Sequence, residues 1–134
     1  MIDLLLAATV FLSAKSELPE YRGSHHTPAA EKFLECVAAR ESGWPNKNSW
    51  TSDGPYGSGA FQMILVTSRR AALAINAPEW AEKRAYLWPP YLQTEAAYWL
   101  LNPFPKKPGL EGRHHWSSDH AKRLLGKNIH DCGR

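Results

Sequence analysis

The side chain best placed for chemistry in this sequence is Glu41, within Ala39-Arg40-Glu41-Ser42-Gly43. Phe33, Val37 and Glu41 are spaced four apart, with Leu34 and Ala38 beside them, which places the glutamate on the apolar face of a helix. Gly43 and Pro45 stop that helix just after it. A carboxylate there is expected to be partly desolvated and to lie near the negative end of the helix dipole. Both effects raise a carboxyl pKa. An acid still protonated near neutral pH can pass a proton to a leaving oxygen, as glycosidic cleavage requires. Position alone also fits an ordinary helix-end glutamate in water.

Asp53 is a second carboxylate, twelve residues after Glu41. Asp53-Gly54-Pro55 also reads as a plain turn in which the Asp side chain bonds local backbone. The histidines His25, His26, His114, His115 and His120 are dense. A zinc site, however, needs three or four ligands on rigid elements, and neighbouring histidines on an extended chain point in opposite directions. No metal and no cofactor is expected.

Several elements must position these groups. Thr27-Pro28 reads as a helix start, with Thr as N-cap and Pro in the first turn. The helix that follows delivers Glu41. The stretch from residue 42 to 60 is rich in Gly, Pro, Asn and Asp, which predicts loop, with a small hairpin in 46–62. Helical signal returns from about Thr67 to Ile75, and a further helix is expected from Pro78 towards Leu87, broken by Trp88-Pro89-Pro90. A strongly apolar helix is predicted from about Tyr91 to Leu101. After a Pro/Gly/Lys loop at 103–113, Ser117 or Ser118 is expected to cap a last basic helix that Gly126 ends. The fold class is therefore mainly α, with one small β-hairpin.

With 134 residues the chain can bury one real core, and 43% hydrophobic residues exclude disorder by composition. Six Trp, five Tyr and four Phe fill that core, and a few of them are expected to line a cleft, since aromatic rings stack on the apolar faces of sugars. The net charge of +3 favours an acidic partner, such as a polyanionic cell wall or a nucleic acid. The run Leu4–Leu12 ending in Ser13-Ala14 reads either as an export signal or as an N-terminal helix packed on the domain. It lacks the positive charge of a usual signal and is too short to span a bilayer, so no stable membrane insertion is expected. Residues 1–27 are read as this apolar segment plus a linker, and 28–134 as the folded domain. Cys36 and Cys132 fit either two free thiols or one long-range disulfide.

Two motifs together resemble the lysozyme-like superfamily, especially lytic transglycosylases, resuscitation-promoting factors and goose-type lysozymes. The first is Ala39-Arg40-Glu41-Ser42-Gly43. The second is Tyr56-Gly57-Ser58-Gly59-Ala60-Phe61-Gln62-Met63-Ile64, about twenty residues on, and Gln93-Thr94-Glu95-Ala96-Ala97 is similar to a later Gln-containing helix of that group. The resemblance covers roughly 28–132. It implies a lysozyme-like helical domain with a hairpin beside a cleft, and cleavage of peptidoglycan glycan strands. Glu41 would be the acid/base, Ser42 a hydrogen-bonding support, and Gly59 a point of close backbone approach. Gln62 would touch the sugar or order the cleft wall. Asp53, Tyr56, Phe61, Gln93, Tyr98 and Trp99 would complete the substrate-binding set, with Tyr56 and Phe61 either facing the sugar or packing the hairpin core, and one of Tyr98 and Trp99 facing the core.

The sequence departs from that group at Leu65, where lytic transglycosylases often carry Pro, and at Cys36, which lies five residues before the glutamate rather than next to it. The resemblance also implies a Cys36–Cys132 disulfide tying the tail to the Glu41 helix. Lysozymes that hydrolyse use an Asp on the hairpin closer to the Gly-x-x-Gln segment than Asp53 is. With one carboxylate, the expected reaction is substrate-assisted, with the muramoyl 6-hydroxyl attacking to leave an anhydro product. A hydrolase using Glu41 and Asp53, and a wall-binding module that does not cut, are the alternatives. A nucleic-acid partner has support only from Arg113, Lys122, Arg123 and Lys127, without a base-reading motif, and is not expected. The protein is expected to act as an extracellular or wall-located monomer.

Overall fold

The computed structural model describes residues 25–101, 112, 114–117 and 132. The expected N-terminal apolar segment, the 103–111 loop and the basic cluster Arg113, Lys122, Arg123 and Lys127 lie outside those residues. The described part is mainly helical: α1 (Pro28–Ser42), α2 (Leu65–Ala74), α3 (Pro90–Leu101) and the single turn α4 (His114–Ser117), with 3-10 turns at Pro78–Trp80 and Ala85–Leu87.

Helix α1 starts where its capping residues dictate. Thr27 is extended and its Oγ1 accepts the Ala30 N–H at 3.0 Å, while Pro28 fills a position whose N–H would have had no partner. Gly43 ends the helix at φ 74°, a left-handed conformation that costs glycine little, and its N–H reaches Ala39 O at 3.0 Å. Ala30, Phe33, Leu34, Val37, Ala38 and Glu41 form the buried stripe.

Helix α3 is buried on nearly every side, through Leu92, Gln93, Thr94, Ala96, Ala97, Tyr98, Leu100 and Leu101. It packs against both α1 and α2 and is the centre of the described fold. Helix α2 meets it through the small residues Ser68, Ala71 and Ala72, which permit close approach. Trp116 of α4 lies over the end of this core, its ring 6.2 Å from that of Phe33 and its indole N–H donating to Phe61 O at 2.9 Å.

Three expectations are corrected. The segment from 46 to 62 holds no paired strands; it is a series of turns with two isolated antiparallel bridges, Asp53 to Ser58 and Ser58 to Met63. Glycines at 54, 57 and 59 and Pro55 leave no run long enough to build a ladder. The helix expected from Pro78 to Leu87 is two 3-10 turns instead. Arg84 between them is extended, held by Asp53, and the Tyr86 N–H donates to Ser58 Oγ at 2.7 Å, so bonds to the 53–58 loop replace helical ones. Ser117 is the last residue of α4, so it does not cap a helix starting there, while Ser118 and the basic helix expected to run to Gly126 lie outside the described residues.

Candidate functional site

Glu41 occupies the last turn of α1, where the apolar stripe of the helix would place one more core residue. It is 8% exposed and is the only buried carboxylate among the described residues. The chain then reverses at Gly43, and the loop that follows is bonded back onto this helix end. Ser42 Oγ lies 2.7 Å from Ala60 O and 3.1 Å from Ala38 O, so its proton is best directed across the loop to Ala60. Ser49 is fully buried, and its hydroxyl donates to Ser42 O at 3.2 Å. Ser42 thus ties the 59–60 loop to the helix end that carries Glu41.

The second motif is held from behind by Gln93. This side chain is 0% exposed, and both ends of its amide are engaged. Its Oε1 accepts the Ala60 N–H at 2.9 Å, while its Nε2 donates to Trp50 O at 2.9 Å and Trp88 O at 3.0 Å. Gly59, at φ 81°, passes so close that a Cβ there would collide with Gln93 Oε1. Gln93, expected on the cleft surface, is therefore an internal clasp joining three backbone segments.

Gln62 has a similar inward role. Its backbone is at φ 49°, rare for a non-glycine residue. Its Nε2 donates to Gly59 O at 2.9 Å and lies 3.3 Å from Ser52 O. It thereby braces the 52–59 loop from within.

Asp53 is drawn to a distant partner rather than to its local turn. Its Oδ1 receives Arg84 Nε at 2.8 Å and lies 2.8 Å from an Arg84 terminal nitrogen. The same guanidinium donates to Gly54 O at 3.0 Å and reaches Gly57 O at 3.4 Å. One arginine thereby clamps the 53–57 turn. Nothing in the local sequence pairs Arg84 with a residue about thirty positions away, so sequence reasoning missed it.

The expected aromatic set divides. Phe61 and Tyr98 are buried in the core, so they pack the site rather than face a ligand. Trp99 is half-buried against the core, which agrees with one of the Tyr98–Trp99 pair facing inward. Tyr56 is 47% exposed on the loop. Trp50, not singled out from sequence, stands half-buried beside Phe61.

His26 Nε2 lies 3.2 Å from Glu31 Oε2, and its ring centroid is 5.5 Å from that of Tyr98. Among the described residues no group of three or more His, Cys, Asp and Glu side chains converges as metal ligands would. No described helix is long and apolar enough to cross a membrane. Cys36 and Cys132 form a disulfide, with Cα atoms 5.5 Å apart across a sequence separation of 96. Comparison of the chain with protein-family models, curated proteins and solved structures gives no significant match.

Proposed function

We propose that the protein is an extracellular or wall-located enzyme that cleaves peptidoglycan glycan strands, with Glu41 as the single acid/base and a lytic transglycosylase product. The reading rests on the resemblance of the Glu41 and Gln62 motifs to the lysozyme-like superfamily. The observation that carries it is the burial of Glu41 at the end of the α1 core stripe, braced through Ser42 against the Gly59–Ala60 loop. A carboxyl group that leaves water at a fixed point can serve as an acid to a glycosidic oxygen, whereas a wall-binding module has no need of one there.

Asp53 supports the single-carboxylate route over the hydrolytic one. Its charge is neutralised by Arg84, and it braces a turn. The sugar's own N-acetyl group would then stabilise the oxocarbenium-like centre while Glu41 protonates the leaving oxygen. Glu41 would next take the proton of the muramoyl 6-hydroxyl as that oxygen closes on the anomeric carbon, giving a 1,6-anhydro end. The disulfide supports an oxidising location.

The test is mass spectrometry of purified peptidoglycan digested with the wild type and with Glu41→Gln, alongside circular dichroism of both. Anhydro muropeptides are expected from the wild type, and the folded variant should lose at least about a hundredfold in rate, the usual share of a general acid. A folded Glu41→Gln that clears walls at a near-normal rate would refute the assignment.

A further inference from the structure

Gln93 spends two of its three bonds on Ala60 and Trp88, which bracket the loop and the start of α3, and the third on the carbonyl of Trp50. Trp50 is fixed from two further directions. The preceding residue, Ser49, is bonded to Ser42 O, so Trp50 and Glu41 stand one residue to either side of the same hydrogen bond. The indole meets the ring of the fully buried Phe61 edge to face, with centroids 6.1 Å apart and planes at 74°. In such a contact Phe61 covers at most one of the two indole faces. Trp50 is packed on the core without being sealed within it.

A large aromatic side chain left partly in water forgoes burial energy that Phe61 and Trp88, both nearby, take in full. Its backbone is held in place, because its carbonyl is tied by a side chain that is itself 0% exposed, and its ring rests on Phe61. A half-exposed indole on a loop that is bonded back to a polar helix end suits a ligand with both apolar C–H faces and hydroxyl edges, and a pyranose ring is such a ligand. We infer that Trp50 is a stacking platform for a pyranose ring of the glycan strand, carried on the loop that Ser49 ties to the end of the Glu41 helix and held there by the Gln93 clasp. This rests on the glycan reading above and adds a binding residue to it.

The test uses full-length Glu41→Gln protein, which holds ligand without turnover, and chitotetraose as the probe. Titration is followed by calorimetry and by the indole N–H resonances, that of Trp50 being assigned by its loss in Trp50→Phe. The Trp50 resonance should shift on binding. Trp50→Ala should weaken affinity about tenfold, and Trp50→Phe, which keeps a smaller ring on Phe61, about threefold. An unmoved Trp50 resonance, an unchanged affinity in either folded variant, or no binding of chitotetraose at millimolar concentration overturns the platform. Wall clearing by the wild type against Glu41→Gln is scored separately. Loss of clearing in Glu41→Gln with no Trp50 effect keeps the enzyme and removes the platform. Trp50-dependent binding by a wild type that does not clear walls keeps the platform and removes the enzyme.

Discussion

Glu41 and Asp53 are both carboxylates in the same stretch of chain, yet their surroundings differ. Glu41 continues a core stripe and is largely buried, while Asp53 is exposed and faces a guanidinium. A partly exposed ion pair of this kind is worth at most about 1 kcal/mol. Asp53→Asn keeps an oxygen to accept from Arg84, so unfolding in urea should show a loss within that bound. Lytic activity should fall by less than about threefold, against the hundredfold or more expected from removing a general acid. Product analysis of Asp53→Asn should still find anhydro ends. A loss as large as that of Glu41→Gln, with reducing ends only, would point to a two-carboxylate hydrolase.

At the scale of elements, the loop between α1 and α2 has almost no regular structure of its own and is given shape by α3. Gln93 does this with one amide, satisfying the Ala60 N–H and the Trp50 carbonyl in the loop and the Trp88 carbonyl just before its own helix. Replacing it by leucine keeps apolar volume but leaves those groups without their partner. The expected cost is about 3 kcal/mol, read as a lower urea midpoint with the slope unchanged. Gln93→Glu retains an acceptor for Ala60 but sets a buried carboxylate oxygen against two carbonyl oxygens, and should cost at least as much at neutral pH. A Gln93→Leu protein as stable as the wild type would mean that the clasp is incidental.

On the scale of the whole molecule, the Cys36–Cys132 bridge joins the helix that carries Glu41 to a residue beyond α4 in the chain. A cross-link over a separation of 96 removes much of the freedom of the unfolded chain. By loop-closure entropy it contributes on the order of 4 kcal/mol. Full reduction, confirmed by thiol titration, should lower the calorimetric melting temperature by on the order of 10 °C. Wall clearing should decline with it, because Cys36 is on the same helix as the acid. The Cys36→Ser/Cys132→Ser protein should behave like the reduced form, and an unchanged melting temperature in fully reduced protein would show that the bridge adds nothing.

The sequence by itself determined the features that depend on neighbours within a few residues. The Thr27 cap and the Gly43 stop follow from local backbone chemistry, and α1 runs from Pro28 to Ser42 accordingly. The four-residue spacing of Phe33, Val37 and Glu41 put the glutamate on the same face as the apolar stripe, since a helix turns at a fixed rate, but its burial there was decided by what packs over the helix end. The apolar run of α3 could be read the same way. Only the tertiary structure decided the direction of Gln93, the pairing of Arg84 with Asp53, and the break of 78–87 into two short turns. These depend on polar groups some thirty or more residues apart meeting at bonding distance, and residue type and period say nothing about such a meeting. The same holds for the aromatics: Phe61, Tyr98 and Trp50 are all plausible sugar contacts by type. How much of each stays in water is settled by what packs over it, and Phe61 and Tyr98 are covered fully where Trp50 is covered only in part.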